Sequence, residues 1–341
     1  MKPDKLPQKG ATHTETRLYT KLQGNSKTLW EDLLAKAGLS AEDMPEQTVL
    51  IFDGDTPVAT GSRQGNLLKY IAVDDARQGE GLTATVLTTL KQEAFREGYA
   101  HLFLYTKPAN RYLFESLFFY PVAQTDTVLL MESQKGGIAN LLDRLPVCHT
   151  AEPVGALVMN CDPFTRGHRY LIETAAKECG HVYVFVLSED KGFFSAHHRL
   201  EMVKRGVKDL PNVTVYSTGP YLISSATFPT YFLKDRDKAE TVHCALDIEI
   251  FTKYFAPKFS VTRRYVGTEP LSAMTAGYNR ALEARLPQKG IALHQIPRLE
   301  TAGTPISASH VRRLIAAKDL PGLKALLPES TLSYLSENHL L

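Results

Sequence analysis

Several features that mark common protein classes are scarce or missing in this 341-residue sequence. It has four cysteines, which lie far apart without CxxC spacing, so neither a zinc site nor a disulfide framework is predicted and a reducing cytoplasm is expected. Its 39 basic and 37 acidic residues leave a formal charge of +2, and no dense run of lysine and arginine is present. We therefore expect no nucleic-acid partner bound by bulk charge.

Long apolar runs and a P-loop are also missing. Residues 1–17 carry no apolar core of the kind found in signal peptides, and no later stretch has the length of a membrane span. The GxxxxGK[ST] spacing of a P-loop does not occur, so that route to nucleotide binding is not supported. The sequence predicts a soluble intracellular protein without a membrane partner.

Length and composition predict two domains of the α/β class. The chain is 43% hydrophobic and 22% charged, which is an ordinary globular composition with enough residues for two cores. The glycine pair Gly136-Gly137 follows a strand-like segment, and we place the boundary between Ser133 and Thr150. The predicted domains are 1–136 and 150–341.

Hydrophobic periodicity predicts the elements of both domains. Residues 1–20 are expected to be peripheral, with regular structure starting at the first helix. The first domain is predicted to contain helix 29–38, strands 48–54, 56–62 and 67–73, helix 83–98, and strands 101–106 and 127–132. The second is predicted to contain strand 154–160, helix 168–180, strands 181–187, 258–267 and 291–298, and helix 307–319. Its apolar strands with an intervening helix indicate a parallel sheet covered on both faces.

The loop between strand 154–160 and helix 168–180 has the composition of an anion-binding turn. In open parallel sheets, ligands lie at the carboxyl ends of strands, where helix N-termini present free N–H groups. Gly167 allows a close backbone approach to a phosphate, and Thr165 and His168 can donate hydrogen bonds to its oxygens. Taken alone, these residues fit an ordinary strand-to-helix turn equally well.

Three motifs favour the anion-binding interpretation. Thr165–His168 resembles the [HT]xGH motif of the nucleotidyltransferase superfamily, and Asn160–Phe164 is similar to its approach loop. Ile306–Arg312 resembles the ISSTxxR signature of the same superfamily, in the expected order along the chain. Lys191–Arg199 is similar to the K-x-x-F-[ST]-x-x-x-R segment of its adenylyltransferases. The resemblance implies a Rossmann-like, adenylating second domain.

The resemblance also implies roles for individual residues. Catalytic roles fall on Thr165, His168, Lys191 and Arg312, and ATP-binding roles on Asn160, Pro163, Phe164, Gly167, Arg199, Ser307 and Ser309. Adenylyl transfer of this type needs no protein nucleophile, because catalysis consists of alignment and stabilisation of charge on the phosphates. Mg²⁺ is expected on the phosphates, with no metal site built from protein side chains. Two alternatives remain: Ser309 could simply cap a helix, and Lys191 could be a solvent-exposed loop residue without a role in catalysis.

The first domain carries a glycine-rich turn between a strand and a helix. Residues 45–132 resemble the GNAT acetyltransferase fold, in which such a turn holds the diphosphate of coenzyme A. The resemblance implies a CoA-like binding site at Gln78, Gly79, Gly81 and Thr83, although Thr83 stands where glycine or alanine is usual. A degenerate domain kept for packing or oligomerisation remains the alternative.

A GNAT-like α+β domain followed by an [HT]xGH nucleotidyltransferase domain resembles the family of [citrate (pro-3S)-lyase] ligases. The resemblance implies that ATP and acetate form acetyl-adenylate. The acetyl group then passes to the thiol of a dephospho-CoA-derived arm on the acyl carrier subunit of citrate lyase. That the GNAT-like turn receives this arm is our own hypothesis.

Two other functions stay open. One is a bifunctional enzyme that joins an N-acetyltransferase to a cofactor adenylyltransferase, which would consume acetyl-CoA and form a dinucleotide. The other is a nucleotide sensor that binds ATP without releasing pyrophosphate. Analysis of the products separates all three.

Overall fold

The computed structural model describes residues 14–190, 192–223, 228–233, 239–268 and 273–341. These residues form two compact units, each built on a main β-sheet. Unit 1 ends at Lys135 and also includes the later segment 229–233, and unit 2 contains the other described residues. Helices pack on both sheets, so the predicted α/β class is confirmed.

Unit 1 contains a seven-stranded, mainly antiparallel sheet and three helices. Its strands are β1 (Thr14–Tyr19), β2 (Gln47–Asp53), β3 (Thr56–Gln64), β4 (Leu67–Val73), β5 (Phe103–Thr106), β6 (Tyr120–Gln124) and β7 (Leu129–Glu132). Its helices are α1 (Gly24–Lys36), α2 (Leu82–Arg96) and α3 (Arg111–Ser116). The strand order is β1-β2-β3-β4-β5-β7-β6.

Strand β1 corrects the prediction that regular structure begins at helix 29–38. Thr14–Tyr19 pairs antiparallel with β2, residue by residue from Asp53 back to Thr48. Almost all of its side chains are exposed, so the strand is held by backbone hydrogen bonds and shows no hydrophobic alternation. Helix α1 likewise begins earlier than predicted, at Gly24.

Strands β4 and β5 pair in parallel only at their starts. Leu67 pairs with Phe103 and Leu68 with Leu104, and the rest of the two strands is not paired together. The glycine-rich turn 78–81 follows β4 and leads directly into α2. The turn therefore lies at the carboxyl end of a strand that opens away from its neighbour.

Segment 229–233 lies where β4 and β5 no longer pair. The hydroxyl of Tyr231 donates to the carbonyl of Tyr105 on β5 at 3.1 Å, and its ring centroid lies 4.7 Å from that of Tyr70 on β4. The Tyr231 carbonyl accepts a hydrogen bond from the Ser40 N–H at 3.2 Å. The segment thus connects the two strands across their gap.

Unit 2 contains a five-stranded parallel sheet with helices on both faces. Its strands are β8 (Val154–Met159), β9 (His181–Val186), β10 (Val213–Ser217), β11 (Arg263–Gly267) and β12 (Ala292–Ile296), and a short hairpin is formed by β13 (Glu300–Thr301) and β14 (Thr304–Pro305). The helices are α4 (Gly137–Asp143), α5 (Arg166–Glu178), α6 (Ala196–Gly206), α7 (Ala239–Ile250), α8 (Ala256–Lys258), α9 (Ala273–Arg285), α10 (Ala308–Ala316), α11 (Leu320–Leu326) and α12 (Glu329–Glu337). A π-helical turn, Phe251–Phe255, joins α7 to α8. In the part of the chain that the structure describes, no helix is both long and apolar enough to cross a membrane.

Side chains alternate between the two faces of the parallel sheet. Val184 on β9 packs in one cluster with Ile172 of α5 and Val311 of α10. Its neighbour Phe185 contacts Phe255 on the opposite face, with ring centroids 5.1 Å apart. Because both faces are covered, β9 is buried at every position, as its uninterrupted apolar sequence predicted.

The strand order creates a crevice beside β8. The order β10-β9-β8-β11-β12 shows that the chain builds outward from β8 in one direction and then returns to add β11 and β12 on the other side. In open α/β sheets, such a reversal leaves a crevice at the carboxyl ends of the two central strands, where ligands bind. The sheet therefore positions the loop after β8 at this crevice.

The close packing of Gly206 against the loop after β8 can be tested by substitution. A Cβ atom added to Gly206 would lie 2.2 Å from Cε1 of the buried Phe164 ring. We expect Gly206→Ala to destabilise unit 2 by about 2 kcal/mol because the ring cannot move aside in a close-packed core. The corresponding fall in the thermal unfolding midpoint is roughly 4–8 °C.

Gly167→Ala is the matched control, since its added Cβ would have no neighbour closer than 3.6 Å. Its unfolding midpoint should match or exceed that of the unsubstituted protein, because alanine favours helix. Equal midpoints for the two variants would contradict this account of the packing.

Candidate active site

A pocket of about 610 Å³ opens at the carboxyl ends of β8 and β11. Residues from the turn after β8 and the first turn of α5 line one side of it. The start of α10, the ends of β11 and β12, and two residues of α9 also line it. The structure thus brings together the two segments Asn160–His168 and Ile306–Arg312, which lie almost 140 residues apart in the sequence.

Most of the site residues predicted for the second domain lie at this pocket. Those that line it are Asn160, Thr165, Gly167, His168, Ser307, Ser309 and Arg312. Pro163, Phe164 and Arg199 are buried and do not line it, so the structure does not support direct contact of these three with ATP. Lys191 lies outside the described residues.

Arg199 connects the loops around the pocket and has no exposed surface. Its guanidinium donates to the backbone carbonyls of Asn160 at 2.9 Å, Leu187 at 2.8 Å and Phe194 at 3.2 Å. These acceptors belong to the segments that follow β8 and β9. The arginine is therefore used to hold two loops together, which explains why it is not available to ATP.

Asp162, a residue that sequence analysis did not select, anchors the loop after β8. Its carboxylate accepts hydrogen bonds from the backbone N–H groups of Phe193 and Phe194, both at 2.9 Å. Its backbone carbonyl accepts a hydrogen bond from Nη1 of Arg312 at 2.6 Å. Asp162 thus fixes the loop to the segment after β9 and to helix α10.

Thr165 and His168 hold each other at the start of α5. The Thr165 hydroxyl accepts a hydrogen bond from the His168 N–H at 3.3 Å, and the Thr165 N–H donates to Nδ1 of His168 at 3.0 Å. Because a backbone N–H can only donate, Nδ1 must be the unprotonated nitrogen and Nε2 carries the proton. His168 therefore offers one N–H donor at the pocket.

The local environment keeps His168 neutral. Burial and the nearby Arg298 guanidinium lower the pKa of His168 to about 4, from an ordinary value of 6.5. At neutral pH the imidazole can donate from Nε2 without carrying a charge of its own. Positive charge at the pocket is supplied instead by arginines.

Helix α10 places its first turn at the pocket. Ser307 is the N-cap, and its hydroxyl accepts a hydrogen bond from the His310 N–H at 3.2 Å. The Ser309 hydroxyl lies 3.2 Å from that of Ser307, inside the first turn. The remaining N–H groups of this turn and the Arg312 side chain can donate hydrogen bonds to a bound anion.

Besides Asp162, sequence analysis missed several polar residues of the pocket lining, among them Arg264, Tyr278, Asn279 and Arg298. Arg298 is fixed by its Nε, which donates to the Thr268 carbonyl at 2.8 Å, and Asn279 by its Nδ2, which donates to the Gly267 carbonyl at 2.9 Å. They come from β11, α9 and the end of β12, and no local motif joins them. Arg298, a basic residue at the end of predicted strand 291–298, was the one available signal.

The pocket has the electrostatic character of an anion site. Arg264, Arg298 and Arg312 line it. Among the described lining residues, Asp162 carries the one carboxylate, which accepts two backbone hydrogen bonds. Clustered cations and free N–H groups at helix starts raise the local affinity for phosphate or carboxylate. Among the described residues, no group of three or more His, Cys, Asp or Glu side chains could hold a metal ion.

The glycine-rich turn of unit 1 is an open loop at the start of α2. Gly79 and Gly81 have φ angles of +85° and +78°, values that L side chains rarely adopt. Gln78, Gly79 and Gly81 are exposed, and Thr83 in the first helical turn is half-buried. The turn therefore presents backbone groups at the N-terminus of a 15-residue helix.

Comparison with solved structures gives only partial likenesses. The crystal structure of Escherichia coli ElaA is 12% identical, with a TM-score of 0.32, and the match covers 36% of this chain and 99% of that one. The structure of Thermotoga maritima TmcAL bound with alpha-thio ATP is 16% identical, with a TM-score of 0.33, over 55% of this chain and 56% of that one.

Sequence comparison gives much stronger matches. The [citrate [pro-3S]-lyase] ligase of Klebsiella pneumoniae is 38% identical over 88% of this chain and 89% of its own, and that of Escherichia coli K12 is 36% identical over 87% and 86%. The family model for the citrate lyase ligase C-terminal domain matches residues 154–335, which include the whole pocket lining. The chain therefore belongs to the [citrate (pro-3S)-lyase] ligase family.

Proposed function

We propose that this protein activates acetate with ATP and transfers the acetyl group to the thiol-bearing prosthetic group on the acyl carrier subunit of citrate lyase. The observation that carries the proposal is the convergence of segments Asn160–His168 and Ile306–Arg312 on one arginine-rich pocket. Membership of the citrate lyase ligase family supports the same substrates.

The first half-reaction is the formation of acetyl-adenylate. An acetate oxygen attacks the α-phosphorus of ATP, and the bond from that phosphorus to the bridging oxygen of the β-phosphate breaks. Pyrophosphate leaves with the electron pair, and no proton has to move. The protein therefore has to align the two anions and stabilise the charge that develops on the phosphates.

The pocket residues divide this task. Thr165, the Nε2–H of His168 and Arg312 stabilise the transition state, and the other pocket-lining residues named from the sequence bind ATP: Asn160, Gly167, Ser307 and Ser309. Pro163, Phe164 and Arg199 support the loop from beneath. Lys191 keeps the role implied by family resemblance, which is to help place acetate or the phosphates.

ATP enters this scheme as its Mg²⁺ complex. Mg²⁺ usually keeps several waters and binds through substrate phosphates, so it needs few protein ligands. Its charge would add to that of the arginines in stabilising the leaving pyrophosphate.

The second half-reaction requires the carrier's arm. Its thiolate attacks the carbonyl carbon of acetyl-adenylate, AMP leaves, and the thiol proton passes to solvent. The arm derives from dephospho-CoA and carries a diphosphate, for which Gln78, Gly79, Gly81 and Thr83 offer a glycine-rich turn at a helix start. The cytoplasm, where ATP is available and the four free cysteines stay reduced, is the proposed compartment.

One incubation tests the overall function. ATP, acetate and deacetylated citrate lyase are combined with the protein, and AMP formation and restored lyase activity are measured together. Both should appear and should depend on acetate. Formation of a dinucleotide, or consumption of acetyl-CoA, would instead support the bifunctional alternative, and ATP binding without pyrophosphate release would support a sensor.

We expect His168→Ala to lower kcat for acetate-dependent AMP formation by about 100- to 1,000-fold, because it removes a donor to the transition state. The dissociation constant for ATP should change much less. His339→Ala, at an exposed position near the C-terminus, is the control and should keep full activity. Unchanged kcat in His168→Ala would rule out this role.

The pH dependence of His168 is a separate expectation. Since its pKa is lowered to about 4, the neutral Nε2–H form should persist from about pH 5.5 to 8. The unfolded chain takes up this proton near pH 6.5 and the folded chain only near 4, so the contribution of His168 makes the protein less stable as the pH falls through that window. Nitrogen-15 NMR of the imidazole tests this, and a midpoint near 6.5 would contradict it.

Binding of the arm to unit 1 is tested by Gly81→Asp. The added carboxylate should repel the diphosphate and raise KM for the carrier roughly tenfold or more. Acetate-dependent exchange of pyrophosphate into ATP, which needs no carrier, should stay normal.

Gly98→Asp is the matched control, because Gly98 lies just beyond the other end of α2, has a φ of +89° and has an equally open surrounding. It carries the same backbone strain and the same charge. If both variants raise the carrier KM equally, the effect does not come from the turn.

A further inference from the structure

Arg264 is a buried cation, and two of its guanidinium nitrogens make no hydrogen bond to the part of the chain that the structure describes. The residue is 2% exposed, and its Nε and Nη1 atoms have no hydrogen-bond partner in the described chain. Burying a guanidinium without a counter-charge or acceptors is costly. Arg264 also lines the pocket at the carboxyl ends of β8 and β11, so a bound anion could supply both.

Arg264 lies on the sheet face opposite to the phosphate-binding helices. On β11, Arg263 and Tyr265 both bond to Glu178 at the end of α5, on the face that α5 and α10 cover. Residue 264 alternates to the other face, where its guanidinium lies 4.6 Å from the centroid of the Phe251 ring. The pocket therefore receives cations from both faces of the sheet.

The polar neighbour of Arg264 at the pocket, Tyr278, is bonded to another residue. Tyr278, which also lines the pocket, donates its hydroxyl to Oδ2 of Asp247, and burial and that carboxylate raise the pKa of Tyr278. No salt bridge within 4.0 Å joins Asp247 to Arg264. The strand residue paired with Arg264 on β8 is Ala156, which is small. Arg264 therefore keeps donors without hydrogen-bond partners beside the Phe251 ring and next to a small residue of β8.

We propose that Arg264 binds the carboxylate of acetate and so defines the acid-binding part of the pocket. The proposal rests on the function proposed above and names the residue that receives its second substrate. The planar guanidinium matches a carboxylate through two parallel N–H donors. In-line displacement requires the attacking and leaving oxygens on opposite sides of the α-phosphorus, and a carboxylate held from the Arg264 face meets a triphosphate held from the α5 and α10 face.

Arg264→Met separates this role from ATP binding. The variant should raise KM for acetate about 100-fold, because truncation leaves a carboxylate without its charge partner. KM for ATP should change less than about threefold, since the phosphate donors on α5 and α10 are retained. Both constants are measured by acetate-dependent exchange of pyrophosphate into ATP, over wide ranges of each substrate. Arg264→Lys keeps the charge without the paired donors and should give an intermediate KM for acetate.

Arg263→Met is the matched control, because it removes the same charge from the adjacent residue on the other face of β11. It should leave KM for acetate within about twofold of the unsubstituted enzyme. A general loss of positive charge would affect both variants alike.

Thermal stability distinguishes a binding role from a structural one. Replacing a buried, unpaired cation by an apolar side chain of similar length should keep or raise the unfolding midpoint without ligands. A clear fall in that midpoint in Arg264→Met would show a structural role and overturn the proposal, as would equal rises in KM for acetate and ATP.

The same exchange assay keeps the two proposals apart. If the unsubstituted protein shows no acetate-dependent exchange, the proposed function fails and the inference about Arg264 fails with it. If that exchange is normal and Arg264→Met retains its KM for acetate, only the assignment of Arg264 is refuted.

Discussion

The site depends on the fixed position of the loop between β8 and α5, and Asp162 provides the main attachment. One residue connects three parts of unit 2, because its carboxylate accepts two backbone N–H groups after β9 and its carbonyl accepts the Arg312 guanidinium from α10. Hydrogen bonds to charged groups contribute about 1.5–3 kcal/mol each. With the buried Arg199 holding the same loops from beneath, the donors at the pocket are in place before any ligand binds, as electrostatic catalysis requires.

The pocket combines neutral and charged donors in a way that suits adenylation. His168 is held neutral and in one tautomer by the Thr165 N–H, by burial and by Arg298. A neutral donor gives up no proton when charge develops on a phosphate oxygen. The net positive charge comes from arginines, which do not titrate, so the site can keep its potential over a wide pH range. Arg264 extends this charge to the opposite face of the sheet.

Much of unit 2 could be predicted from the sequence, because its strands and helices are marked by short local sequence patterns. Strands β8 and β9 are continuous apolar runs because both faces of the sheet are covered, and α5 and α10 begin at residues that can cap a helix. Prediction from sequence was less successful where strand pairing or side-chain packing determines the role of a residue. Strand β1 has exposed side chains and is held by backbone hydrogen bonds to a strand about 30 residues later. Phe164 and Arg199 have the right motif positions for ATP but are used to fill and join the loops beneath it.

By itself the sequence determined the family, the two kinds of domain and the composition of the two segments that form the pocket, because these depend on residues close together in the chain. Only the tertiary structure decided that Asn160–His168 and Ile306–Arg312 face one pocket and that segment 229–233 joins unit 1. It also decided that Arg264 lies at the pocket with two guanidinium nitrogens unpaired among the described residues. The physical reason is that a parallel sheet places the carboxyl ends of strands distant in sequence side by side. Burial and charge at such an edge are properties of the assembled layers, and no short stretch of sequence contains them.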